Sequence, residues 1–191
     1  MNGTVSALPV AQIAIAQIAS FASLLLVAAG LHKLKAPADT ARAMHGLTGL
    51  PLPRAARAVT AIAAAELAAA AGLWFAPARF AAALLAALLW GGYFVFLVRA
   101  VAAGRRDVDC GCSFSAAHRP LGAFQLWRAA VLTGIAVMVA LGAALAPGAV
   151  PYVVGIGALA TQLLAGLGLL ALYVALDQLM AIQPLRAGVQ A

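Results

Sequence analysis

Five long apolar runs, separated by short polar connections, constrain this chain more than any other feature. They cover roughly residues 10–31, 58–76, 80–101, 121–145 and 151–176. Inside lipid every backbone N–H and C=O must be satisfied within the protein, and a run of about 20 apolar residues does this as a helix. At ~1.5 Å per residue the first run reaches ~33 Å, which matches the hydrocarbon core. The chain is 65% hydrophobic over 191 residues. Soluble domains are closer to half apolar, so the excess must face lipid. The expected fold is an all-α integral membrane protein, with no internal repeat and no separate soluble domain.

The connections carry their own signals. His32-Lys33-Leu34-Lys35 closes the first run, and both lysines are expected to snorkel to the headgroups. Pro37 suits the first turn of a short interfacial helix and Gly46 suits its end, with Pro51 and Pro53 stopping it before the second span. Trp74 and Phe75 fall near the end of that span, where aromatics favour the membrane interface. Pro77-Ala78-Arg79 and Ala146-Pro147-Gly148 read as tight turns, and Asp177 marks the end of the fifth span. The second and third spans are rich in alanine, which either permits close helix packing or reflects composition alone.

The formal net charge is +7, but the basic residues flank apolar spans instead of forming one basic face, so nucleic acid is not the expected partner. Five spans place the first and third loops and the C-terminal tail on one side. That side holds every one of the 12 Lys and Arg residues except Arg79. Positive charge marks the cytoplasmic side, so the N-terminus is expected outside and the third loop in the cytoplasm. Residues 1–10 contain no Lys or Arg, and a cleaved leader is therefore not expected.

The third loop holds Asp107-Val108-Asp109-Cys110-Gly111-Cys112-Ser113, with both cysteines of the chain. Two cysteines are too few for a disulfide framework and half of a closed zinc site. They suit one redox pair. A disulfide spans Cα atoms about 4.4–6.8 Å apart, so the chain must turn at Gly111, and the strained bond that results suits exchange. Arg105, Arg106 and Arg119 favour the thiolate, while Asp107 and Asp109 oppose it. Metal binding by Cys110 and Cys112, with His118 and Asp109, is a second reading, and two idle cysteines a third. His118 is a candidate proton shuttle or an ordinary loop residue.

Within the spans Glu66 stands out, because an ionisable group near the bilayer centre is a functional candidate by default. It could relay protons, pair with Arg128 or His32, or serve packing alone. Arg128 is expected to snorkel from its helix end toward phosphate. Thr161 and Gln162 suit interhelical hydrogen bonds. Trp90, Tyr93, Phe94 and Phe96 could line a quinone site, face lipid or simply pack in the bundle.

These residues together resemble the MauE family of methylamine-utilisation membrane proteins, which group with DoxX-like four-helix proteins. The resemblance rests on His32-Lys33-Leu34, Leu50-Pro51, Glu66, Arg105-Arg106, Asp109-Cys110-Gly111-Cys112 and Arg128, across about residues 12–146. Two departures are Ser113-Phe114-Ser115 where the family often has Phe-Gly, and Arg128-Ala129 where it has Arg-Asn. The resemblance implies a four-helix membrane domain over 1–148, with 149–191 as an additional C-terminal transmembrane helix and tail. It implies a bacterial inner-membrane protein that helps an exported, disulfide-containing client to mature, the small subunit of methylamine dehydrogenase or a similar protein, alongside a thioredoxin-like partner. Cys110 and Cys112 would then be the redox pair of a thiol–disulfide oxidoreductase, with Glu66 and His118 handling protons and a quinone or partner as the second redox centre. The competing readings are a non-catalytic scaffold that recruits the thioredoxin-like partner, and a metal-binding membrane protein.

Overall fold

The computed structural model describes residues 4–104, 123–145 and 156–187. The described residues form six α-helices: α1 (Thr4–Lys35), α2 (Pro37–Thr48), α3 (Leu52–Gly72), α4 (Arg79–Ala102), α5 (Ala123–Leu145) and α6 (Ile156–Ala187). All but α2 are long and apolar enough to cross a membrane, which makes five spans in this all-helical protein. A single 3₁₀ turn, Ala76–Ala78, links α3 to α4.

The first helix is the axis of the bundle. It packs against α3, α5 and α6, while α4 lies along α5 and against α3. Half of its apolar window is buried by the other helices, against 6% for α6. Ala19, Ala22, Leu25 and Leu26 of α1 meet Ala69 and Ala70 of α3, Ala83 and Ala86 of α4, and Ala136 and Val139 of α5. Small residues let helices approach closely where lipid gives little hydrophobic drive for association. The alanines of α3 show this directly: Ala55, Val59, Ala63, Glu66 and Ala70 are buried, at the three- and four-residue spacing of one helix face. Large apolar side chains such as Leu88, Trp127 and Leu164 point outward, as a lipid-facing surface requires.

Several element ends differ from the sequence expectation. The interfacial helix α2 begins at Pro37 as expected but passes through Gly46 and ends at Gly49, whose φ of +73° gives the left-handed turn. The Gly49 N–H closes the helix on the His45 carbonyl at 2.8 Å. A side chain resists that backbone region and glycine does not, so the position of the left-handed turn decides the end. Pro53 does not separate α2 from the second span. It sits in the first turn of α3, where a missing N–H costs nothing. Asp177 lies inside α6, which continues to Ala187, because that carboxylate has a partner within the bundle. The Lys33-Leu34-Lys35 segment is the last turn of α1, with Lys33 buried and Lys35 exposed.

The end of the bundle at the α3–α4 turn is tied by hydrogen bonds. Trp74 Nε1 donates to Ser23 Oγ at 2.8 Å, and Ser23 Oγ donates to the Ala70 carbonyl at 2.9 Å. Trp74 is thus fixed to α1 and α3. Arg79 is buried, and its Nε donates to the Leu73 carbonyl at 3.0 Å beyond the end of α3.

Candidate functional site

Gly30 of α1 sets the site up. A Cβ at this position would lie 3.0 Å from Leu67 Cγ and 3.3 Å from the Ala63 carbonyl oxygen, so the two backbones approach closely here. Three residues on from Gly30 is Lys33, and three on from Ala63 is Glu66. That spacing keeps each on the contact face of its helix, and the two side chains meet.

Lys33 Nζ lies 2.8 and 2.9 Å from the two carboxylate oxygens of Glu66. Tyr93 of α4 donates its hydroxyl to Glu66 Oε1 at 2.9 Å. The lysine ammonium also stands 5.4 Å from the centre of the Tyr93 ring, within cation–π range. Glu66 is 0% exposed and Lys33 5%. A buried charge persists only when paired and hydrogen-bonded, and each of these is both. Lys33 therefore does not snorkel, and Glu66 pairs with neither His32 nor Arg128.

Arg128 has its own partner. One of its terminal nitrogens donates to Asp177 Oδ1 of α6 at 2.9 Å, and the side chains are 11% and 3% exposed. Its expected route outward to phosphate is thus not taken.

Between the two ion pairs lies a cavity of about 60 Å³. His32, Lys33, Glu66, Tyr93, Gln125, Arg128 and Tyr173 supply its polar wall, and Trp90 and several aliphatic residues the remainder. A second cavity of about 200 Å³ lies under α2, lined by Met44, Leu47, Leu88, Phe96 and other mainly apolar residues. Lys33 and Tyr93 border both cavities. Leu97, shortly before the end of α4, and Gln125, at the start of α5, also line the first cavity. It therefore sits close inside the two helix ends that the 103–122 connection joins.

The aromatic residues singled out in the sequence do not form one group. Trp90 and Tyr93 line the first cavity and Phe96 the second. Phe94 packs with Leu97, Ala100 and Ala129. Of the fifth-span residues, Gln162 donates to the Ala16 carbonyl of α1 at 3.2 Å, as expected for an interhelical bond. Thr161 instead bonds the Gly157 carbonyl of its own helix. Cys110, Cys112 and His118, together with Asp109, lie outside the described residues. Lys33, Tyr173 and Asp177 were not recognised as site residues from the sequence. A lone acid deep in a span calls for a counter-charge, and Lys33 closes the preceding span, so the pairing had a signal. The Arg128–Asp177 pair had the same signal in weaker form.

Comparison with known proteins follows the same outline. The methylamine utilization protein MauE of Paracoccus denitrificans is 33% identical over 153 residues, covering 80% of this chain and 80% of that protein. No solved structure matches the chain. The sequence profile described as methylamine utilisation protein MauE matches residues 10–142, a stretch that includes Lys33, Glu66, Tyr93 and Arg128 and stops before α6. The chain thus belongs to the MauE family, as a multi-pass membrane protein of the methylamine-utilisation type.

Proposed function

We propose that this protein exchanges thiols and disulfides at the membrane through Cys110 and Cys112, and so supports maturation or export of a disulfide-containing periplasmic client. The client class is the small subunit of methylamine dehydrogenase or a similar exported protein. The exchange partner is a thioredoxin-like protein. Oxidation of the Cys110–Cys112 dithiol releases two electrons and two protons, and reduction of the partner's disulfide to a dithiol consumes both. By the distribution of basic residues the N-terminus is periplasmic and the cysteine connection cytoplasmic, so a quinone or a partner protein carries the electron pair between the periplasmic client and this dithiol.

The observation that carries this reading is the cavity, with Lys33, Glu66 and Arg128 in its wall, just inside the end of α4 and the start of α5. The connection between those ends holds both cysteines. A membrane protein that only recruits partners needs no buried ion pairs there, and such pairs cost desolvation. Glu66 is a candidate acceptor for a proton released at the thiols, with His118 as a further candidate. The test is Cys110→Ser combined with Cys112→Ser, assayed for disulfide formation in the client. Loss of client oxidation at normal membrane abundance supports the reading. Unchanged oxidation removes it in favour of a scaffold.

A further inference from the structure

The outermost span is an unexpected place for a buried acid. Only 6% of the apolar window of α6 is buried, so a helix there needs little beyond a lipid-compatible surface. Yet Asp177 is 3% exposed and meets Arg128 at 2.9 Å. Carboxylates are among the costliest side chains to place in a span. Tyr173, one turn earlier on the same face, lines the cavity and packs edge-on against Phe21 of α1, with ring centres 5.9 Å apart at 61°. The inward face of α6 is therefore specific where its outer face is not.

We infer that Asp177 is a positioning residue: it holds Arg128 in the cavity wall and makes α6 part of the working site. Arg128 lies in the second turn of α5, close enough to the helix end for its long side chain to reach the headgroups. Asp177 competes with that route. Lys33, Glu66 and Arg128 line one cavity, and Asp177 meets Arg128 from α6. Loss of Asp177 removes the carboxylate that draws Arg128 inward, and the long Arg128 side chain then favours the outward route. The wall then opens beside the start of α5. The functional consequence rests on the thiol–disulfide reading above; the geometric claim does not.

Two measurements on the full-length protein in proteoliposomes separate these. The first is the rate at which oxidised bacterial thioredoxin oxidises the reduced Cys110–Cys112 pair. Asp177→Asn is expected to slow it about tenfold or more, since small misplacements at a site cost this much, while Asp177→Glu keeps the rate within about threefold. An unchanged rate in Asp177→Asn overturns the inference. Should Asp177→Asn fail to accumulate, Arg128→Leu with Asp177→Leu removes both charges at little cost to folding. That pair is expected to be stable and slow, and a wild-type rate overturns the inference equally.

The second measurement does not involve thiols. In Arg128→Lys protein, a membrane-impermeant amine reagent reports on the amine at position 128 through peptide mass spectrometry. Protection is expected with Asp177 present, and labelling once Asp177→Asn is added. Equal labelling in both contradicts the positioning role. If wild-type protein exchanges no thiols at all, the functional reading falls, and the amine labelling still decides this one.

Discussion

Lys33 and Glu66 neutralise each other where water is scarce, and neither can be removed alone at small cost. Glu66 accepts from Lys33 and Tyr93 while fully buried. Breaking a buried pair leaves an uncompensated charge, which costs about 3–5 kcal/mol. Lys33→Met is therefore expected to lower the unfolding midpoint of the protein in nanodiscs sharply, with Lys33→Met plus Glu66→Leu recovering most of the loss. A single Lys33→Met that unfolds like the wild type would show that the pair holds no charge. The same logic shapes any test of Glu66 as a proton carrier. Glu66→Gln strands the ammonium of Lys33, so lost activity would not separate chemistry from folding. The apolar double replacement does: a stable protein with slow thiol exchange supports proton handling, and a stable protein with normal exchange assigns the pair to architecture alone.

Among the helices, the α1–α3 contact carries the most information. Gly30 lets the backbones close, and Lys33 meets Glu66 one turn further along. Gly30→Val would force the helices apart at a packed contact. It is expected to cost about 1–3 kcal/mol and to expose the ion pair, seen as faster labelling of Lys33 by an amine reagent. Unchanged labelling would mean that the contact is not what aligns the pair. The spans themselves were legible in the sequence because length and hydropathy alone decide whether a segment can cross a bilayer. Helix azimuth was not legible. A lysine in the last turn of a span can reach headgroups or turn inward, and only the neighbouring helix settles it. Gly46 and Gly49 likewise look equivalent as helix stops, and the chain uses the one that adopts positive φ. Glu66 was visible as a site residue because it is anomalous in any orientation. Lys33 and Asp177 were visible as charges but not as partners, and Arg128 was visible as a partner but for Glu66, not Asp177.

On the scale of the whole molecule, a membrane protein of the MauE family holds a cavity lined by Lys33, Glu66 and Arg128 at one end of its bundle, and its two cysteines lie on the connection leaving that end. From the distribution of Lys and Arg we propose that this end faces the cytoplasm. A membrane-impermeant maleimide is accordingly expected to label the cysteines only after permeabilisation of spheroplasts. Labelling of intact spheroplasts following reduction would invert the topology and place a disulfide in the periplasm.

Exchange chemistry itself is tested most directly by trapping. Cys112→Ser leaves Cys110 able to attack a partner disulfide but with no second thiol to resolve the product. A covalent adduct on Cys110, sensitive to dithiothreitol and formed with a thioredoxin-like partner, is expected in acid-quenched membranes. It should vanish in the Cys110→Ser, Cys112→Ser double variant. Membranes of Cys112→Ser with Cys110 fully alkylatable and no reducible adduct, under conditions where the client matures normally, would contradict the exchange mechanism.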